Sequence, residues 1–140
     1  MTIWKVKPDL AAVRQMQERT MVSTLGIEFT EIGDDYVRGT MPVDSRTHQP
    51  MGILHGGASV ALAESLGSMA ANLCVDTAHQ YCVGLDINAN HIRGIRGGIV
   101  TGTARPAHLG RTTQVWEIRI EDGAGRLVCL SRLTMAVLDR

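Results

Sequence analysis

The chain has 140 residues, 44% of them hydrophobic and 20% charged, which is typical of one folded domain and excludes an intrinsically disordered segment. Its 14 Lys and Arg are balanced by 14 Asp and Glu, so no net positive field favours nucleic acid or an anionic membrane. Aromatic residues make up only 4%, which also disfavours base stacking. We therefore expect a single domain over residues 1–140, with no nucleic-acid and no membrane partner.

The N-terminus and the cysteines bear on compartment and metal binding. Residues 1–8 contain no apolar run followed by a cleavage site, so no secretory signal is predicted and we expect a cytoplasmic protein. Cys74, Cys82 and Cys129 are odd in number and lack C-x-x-C spacing, which favours buried free thiols over disulfides or zinc ligands. The five histidines form no H-E-x-x-H pattern, so we expect no metal site.

The first half of the chain predicts a short helix and a hairpin. Pro8 and Asp9 open the helix, which should end near residue 19 or 20. Strands are predicted at 27–32 and 36–43, on either side of the turn residues 33–35. An irregular segment follows at 45–54, where proline and glycine interrupt any period.

The segment 56–75, GGASVALAESLGSMAANLCV, predicts one long helix because it lacks proline and is too long for a buried strand. Apolar residues occupy nearly every face, which is the pattern of a helix surrounded by protein. Its glutamate and serines make it a poor membrane span.

Four strands are predicted after this helix, at 81–92, 99–105, 113–121 and 126–138. The first alternates, with Val83, Leu85, Ile87 and Ala89 expected on one face. Pro106 is expected to stop or bulge the second. The order of elements predicts an α+β fold in which an antiparallel sheet curls over a central helix.

Glu64 is the only charged residue between His55 and Asp76. Burying an unpaired carboxylate is costly, so such a group is normally exposed, paired, protonated or functional. Ser68, four residues later on the same face, can hold the carboxylate or a water beside it. This combination describes a hydrolytic site; the alternative is a glutamate that points into solvent along a polar stripe.

The segment QPMGILHGG at 49–57 leads into the same helix. A helix start offers free N–H groups and a positive dipole, so Gly56 or Gly57 can hold a developing oxyanion where no side chain blocks approach. Gln49 and His55 add donors that can polarise the same carbonyl. A capping loop with a satisfied histidine is the alternative.

The spacing of these groups bears on assembly. At about 1.5 Å per residue, Gly56 and Glu64 lie roughly 12 Å apart along one helix and cannot act on one carbonyl within one chain. A shared site requires Glu64 of one subunit to face Gly56 of another around a twofold axis. The functional hypothesis therefore predicts an obligate dimer with two sites.

Several motifs together carry a resemblance to a known family: LHGGASVALAESLGS, MPVDSRTHQPMG and VGLDINANHIRG, with IGDD at 32–35 and HLG at 108–110. Over nearly its whole length the chain resembles the hotdog-fold acyl-CoA thioesterases of the phenylacetate-degradation type. It is most similar to the branch with 1,4-dihydroxy-2-naphthoyl-CoA thioesterase and the proofreading thioesterase of enterobactin biosynthesis. The resemblance implies a hotdog fold, hydrolysis of acyl-CoA or acyl-carrier-protein thioesters with aromatic acyl groups, and a homotetramer. It implies no cofactor, since coenzyme A is part of the substrate.

The resemblance also implies roles for individual residues. Glu64 matches the catalytic carboxylate, a nucleophile or a general base, and Ser68 matches the residue that positions the water. Gly56 matches the oxyanion amide. Gln49 and His55 match the side chains that orient and polarise the thioester carbonyl from the opposing subunit.

The matches for substrate binding are less specific. Val83 and Gly84 match strand backbone beside the pantetheine arm, and His91 and Arg93 match groups near the nucleotide phosphates, for which an arginine fork is well suited. The residues expected to line the acyl pocket are the adaptable Met51 and Met69.

Two other functions stay open from the sequence. An acyl-thioester dehydratase or hydratase would also use a histidine and a helix carboxylate, although the H-G-G entry with Gln49 favours hydrolysis. A non-catalytic acyl-CoA binding or sensing module is the second, although Glu64 and Ser68 would have no use there. The acyl group itself is left open, because an apolar pocket discriminates weakly.

Overall fold

The computed structural model describes residues 1–140 as a curved sheet packed on one long helix. Its helices and strands, in chain order, are α1 (Leu10–Met16), α2 (Met21–Thr24), β1 (Glu28–Ile32), β2 (Val37–Pro42), α3 (Gly56–Leu73), β3 (Gln80–His91), β4 (Ile99–Leu109), β5 (Thr113–Glu121) and β6 (Leu127–Asp139). The six strands pair antiparallel in the order β1-β2-β4-β5-β6-β3. This arrangement confirms the predicted α+β class and leaves β1 and β3 as the two edges of the sheet.

Glycines allow α3 to lie directly on the sheet. Gly39 of β2 is paired with Gly102 of β4, and a Cβ at either position would come within 2.8 Å of the Leu66 side chain. The two missing side chains therefore form a slot for Leu66. On the helix, a Cβ at Gly67 would lie 2.6 Å from Cδ2 of Leu133 on β6, so the absence of a side chain allows this close contact.

The long helix matches its prediction, except that it ends at Leu73 with Cys74 as C-cap. The prediction that protein surrounds the helix is wrong for the single chain, because one stripe is only partly buried. The partly buried side chains on this stripe are Ala61, Glu64, Ser65, Ser68, Met69 and Asn72. No helix of the structure is both long and apolar enough to cross a membrane.

The N-terminal helix is shorter than predicted and is followed by a second one. The side chain of Asp9 accepts a hydrogen bond from the Ala12 amide and caps α1, which ends at Met16. A capping box between Thr20 and Ser23 then starts the single turn of α2. Four residues are too few to show a hydrophobic period, so the sequence pattern did not reveal α2.

Two strands depart from the predicted patterns at bulges. The register of β3 shifts between Gly84 and Asp86, so Val83 and Leu85 are 40% and 62% exposed and do not share the inner face with Ile87. Period-two alternation cannot cross a bulge unchanged, which is why the single face predicted for this strand is wrong. In β4 the register shifts after Pro106, as expected for a bulge, but the strand continues to Leu109.

Candidate active site

Glu64 lies in an open groove of about 370 Å³, which we call the carboxylate groove. Helix α3 supplies its floor, and the end of α1 and the start of α2 supply its far wall. Its lining residues are Met16, Gln17, Val22, Glu64, Ser65, Ser68, Met69 and Asn72. The groove thus combines a carboxylate and hydroxyls with three apolar side chains, and it is large enough for a water and part of a substrate.

The Glu64 carboxylate lies against Gly84 on the edge strand β3. A Cβ built on Gly84 would lie 2.6 Å from Oε2 of Glu64, closer than any side chain allows. Gly84 is predicted to border the substrate, and its missing side chain also leaves space for the Glu64 carboxylate.

Asn72 holds the helix and the edge strand together next to this contact. Its Nδ2 donates to the carbonyls of Ser68 at 2.9 Å and Cys82 at 3.3 Å, and its Oδ1 accepts from the Cys82 amide at 2.8 Å. All the polar atoms of this amide are therefore used within the chain. The same region holds the buried Cys82, and burial raises the pKa of its thiol, which makes it a poor nucleophile.

Ser68 makes no hydrogen bond to Glu64 within the chain. Its Oγ donates only weakly, to Sδ of Met135 at 3.8 Å. Of the two predicted arrangements for Ser68, direct contact with the carboxylate is therefore not formed, although both side chains line the carboxylate groove. A water between them is the remaining way for Ser68 to act on Glu64.

The start of α3 lines a second groove of about 280 Å³, which we call the helix-entry groove. Its lining residues are Gln49, Ile53, Leu54, Gly56, Ser59, His91, Ile92, Arg93, Gly94 and Val128. Four of the predicted site residues, Gln49, Gly56, His91 and Arg93, are thus brought together here. Glu64 is not among them, in agreement with its distance along the helix.

His55 decides which backbone amide is available in this groove. As the N-cap residue of α3, it accepts a hydrogen bond on Nδ1 from the Gly57 amide at 2.7 Å. The Gly57 amide is therefore occupied, whereas the Gly56 amide has no partner within the chain. Because Nδ1 accepts, the neutral imidazole carries its proton on Nε2 and can donate from there.

Gln49 and His91 complete the surroundings of the Gly56 amide. Oε1 of Gln49 accepts from the Met51 amide, which leaves the NH₂ group of Gln49 without a partner in the chain. A Cβ at Gly56 would lie 2.8 Å from Nε2 of His91, so this imidazole lies directly against the glycine. An amide N–H, a carboxamide NH₂ and an imidazole thus line the same groove, where they are available to a carbonyl oxygen.

The remaining predicted residues fall in different places. Met69 lines the carboxylate groove, and its role in an acyl pocket stays a prediction. Met51 is 75% exposed on the loop before α3 and lines neither groove. Val83 is exposed at the edge of the sheet. Met16, Gln17 and Val22 could not be predicted as site residues, because only the tertiary structure, in which α1 packs on β1 and α2 on α3, brings them to Glu64.

Comparison with known proteins gives consistent matches. The model of the thioesterase superfamily matches residues 51–129. The chain is 57% identical to the 1,4-dihydroxy-2-naphthoyl-CoA hydrolase of Escherichia coli, over 97% of this chain and 99% of that protein. It is 52% identical to the proofreading thioesterase EntH of Cronobacter turicensis, over 97% and 98% of the two chains. The crystal structure of a mutant of thioesterase PA1618 from Pseudomonas aeruginosa superimposes with a TM-score of 0.97 at 55% identity, covering 99% of this chain and all of that one.

Proposed function

Because the chain belongs to the thioesterase superfamily and is a thioester hydrolase, we propose that it hydrolyses acyl-CoA thioesters with aromatic acyl groups, using Glu64 as its catalytic carboxylate. The observation that carries this proposal is the position of Glu64, whose carboxylate lies over Gly84 at a groove with apolar walls. The name of the E. coli relative, which specifies an aryl-CoA thioester, supports the substrate class. Met16, Val22 and Met69 offer an aryl group its apolar surroundings.

The reaction that we propose uses both grooves. The thioester carbonyl oxygen accepts hydrogen bonds from the free Gly56 amide and from the NH₂ group of Gln49, which stabilise the negative charge that grows on it. His55 lines neither groove within one chain, and we propose the Nε2 proton of its neutral ring as a further donor to this carbonyl in the assembled dimer. Glu64 either attacks the carbonyl carbon or removes a proton from the attacking water. The carbon–sulfur bond then breaks, and the coenzyme leaves as a thiolate that takes up a proton. If water attacked, the free acid is formed in this step; if Glu64 attacked, water then hydrolyses the anhydride on Glu64 and releases the acid.

A site of this kind requires two copies of the chain. Gly84 lies beside Glu64 and His91 beside Gly56, so one edge strand, β3, passes both grooves. These two positions are seven residues apart, which is roughly 23 Å along β3 at about 3.3 Å per residue. One carbonyl cannot reach both groups within a single chain.

Pairing of two β3 edges around a twofold axis would solve this problem. If the axis passes between Ile87 and Asn88, antiparallel pairing places Gly84 of one chain near His91 of the partner subunit. Glu64 then approaches the partner's Gly56, and the dimer has two equal sites. The exposed Val83 and Leu85 on this edge support such an interface. We propose this dimer as the functional unit and a tetramer as the assembled form.

For the coenzyme, we propose that Arg93 binds a phosphate at the outer part of the helix-entry groove, since its planar guanidinium can donate two hydrogen bonds. His91 lies against Gly56 and is thus closer to the thioester than a phosphate ligand needs to be. The strand backbone at Val83 remains the proposed border of the pantetheine arm.

The first test replaces Glu64 by Gln and measures release of coenzyme A from benzoyl-CoA. Loss of the carboxylate should reduce kcat by about 10²-fold or more, because either role requires its negative charge. Glu28→Gln is the matched control, since Glu28 is exposed and lines neither groove. Near-native turnover by Glu64→Gln would refute the assignment.

The second test asks whether the site is shared between subunits. Glu64→Gln and Gln49→Ala are each expected to be nearly inactive. After subunit exchange at equal concentrations, half of the dimers are mixed and each contains one intact site, so about one quarter of the wild-type activity should return. If both groups act within one chain, mixing restores no activity.

A further inference from the structure

The far wall of the carboxylate groove contains one polar side chain that the reaction does not use. Gln17 is the C-cap residue of α1 and is partly buried, and it lines the groove together with Met16, Val22 and Met69. An acyl group whose carbonyl lies at Glu64 would extend between these apolar side chains. Its distal end would then meet the side chain of Gln17.

Gln17 carries one hydrogen-bond acceptor that the fold does not use. Its Nε2 donates to the Val13 carbonyl at 3.1 Å, which fixes the orientation of the carboxamide, and Oε1 has no partner in the chain. Two other polar side chains of the groove, both on α3, are hydrogen-bonded within the chain. Asn72 is hydrogen-bonded through both its oxygen and its nitrogen, and the Ser65 hydroxyl donates to the Ala61 carbonyl at 2.6 Å.

An unpaired acceptor beside apolar walls distinguishes ligands by their donors. A hydroxyl on the ring of the acyl group can donate to Oε1 of Gln17. A ring hydrogen at the same position leaves Oε1 unpaired, and a methoxy group places a second acceptor against Oε1. We propose that Gln17 is a specificity-determining residue, which accepts a hydrogen bond from a ring hydroxyl of the acyl group. The proposal rests on the proposed function, since it takes Glu64 as the position of the thioester carbonyl.

The experiment compares kcat/KM for benzoyl-CoA, its three monohydroxy isomers and their methyl ethers. One net hydrogen bond corresponds to about a 2- to 12-fold preference, so the wild type should favour at least one hydroxy isomer over both benzoyl-CoA and the matching ether by this factor. The contact exists before and during the reaction, so the preference should reside in KM and not in kcat.

Replacing a glutamine by methionine at two positions of α1 and its C-cap distinguishes a role in specificity from a structural one. Gln17→Met keeps the length of the side chain but removes the acceptor, and it should reduce the hydroxyl preference, the ratio of kcat/KM for the favoured hydroxy isomer to kcat/KM for benzoyl-CoA, to about one. Gln15→Met is the control, because Gln15 is exposed on the same helix and does not line the groove. It should keep the wild-type preference.

The outcomes distinguish this inference from the proposed function. A preference for the hydroxy isomer that persists in Gln17→Met, or its absence in the wild type, would overturn the role of Gln17 while activity that depends on Glu64 remains. If the wild type hydrolyses none of these aryl thioesters, the proposed function fails and the inference fails with it. Melting temperatures of both variants near that of the wild type would show that any change in preference does not come from unfolding.

Discussion

Replacing Gly84 by Ala tests whether the observed position of the Glu64 carboxylate is the productive one. The new Cβ would lie 2.6 Å from Oε2 of Glu64, whereas carbon and oxygen approach comfortably to about 3.3 Å. The carboxylate must therefore retreat by roughly 0.7 Å. Since a misplacement of about 1 Å can reduce a rate about 100-fold, we expect kcat/KM to fall by roughly 10- to 100-fold.

The same substitution should leave the fold nearly unchanged. The atom that must move is the end of a flexible side chain, and Gly84 does not occupy the left-handed region of φ, so alanine fits the backbone. The free energy of unfolding should change by no more than about 1 kcal/mol. The experiment therefore measures both thioester hydrolysis and chemical denaturation. Gly123→Ala is the control, because nothing lies within 4 Å of a Cβ at that turn position.

Two results would refute this reasoning. Activity of Gly84→Ala within about twofold of the wild type would show that catalysis does not need the carboxylate over Gly84. A loss of activity with an equal loss of folded protein would show that Gly84 serves the sheet and not the site. The expected result is lower activity at unchanged stability, and a larger loss in Gly84→Val.

Three further predictions concern the start of α3, its contact with the sheet and the buried thiols. His55→Ala removes the acceptor for the Gly57 amide and should lower the free energy of unfolding by about 0.5–2 kcal/mol. His55→Asn should keep the cap but lose the Nε2 donor, and hence activity. Equal melting temperatures of the wild type and both variants would contradict this prediction. Gly67→Ala puts a Cβ 2.6 Å from Cδ2 of Leu133 and should lower the free energy of unfolding, measured by urea denaturation, by about 1–3 kcal/mol. Unchanged stability would contradict this prediction. Burial raises the pKa of the Cys74 thiol to about 12 from its ordinary 9.0, so the folded protein should resist alkylation by iodoacetamide at pH 8. The free energy of unfolding should fall as the pH rises from 9 towards 12, because in this range the thiol ionises only in the unfolded chain. Rapid alkylation of the native protein would contradict this prediction.

Local patterns were enough to predict most of the fold. The long apolar run of α3 and the alternating segments around it account for the central helix and the antiparallel strands, because hydrophobic periodicity follows directly from helix and strand geometry. The same patterns failed where geometry departs from regularity. The bulge after Gly84 separated the faces of Val83 and Leu85 from that of Ile87, and the four residues of α2 were too few for a period.

The chemistry was partly visible in the sequence as well. Glu64 stood out because it is the one charge in an apolar helix, and the spacing from Gly56 required that two chains share a site if both groups act together. The composition of one segment and the rise of one helix were enough for both conclusions. They identify the groups that can react, and they leave the surroundings of these groups open.

Tertiary contacts decided those surroundings. Packing determines that Gly56 offers the free amide, since His55 occupies that of Gly57, and that Glu64 lies over Gly84 on the edge strand. Packing also brings Gln17 from α1 to the groove, although it lies far from Glu64 in the chain. Sequence periodicity records only neighbours within a few residues, whereas contacts between distant segments depend on how whole elements pack, and no single segment carries that information.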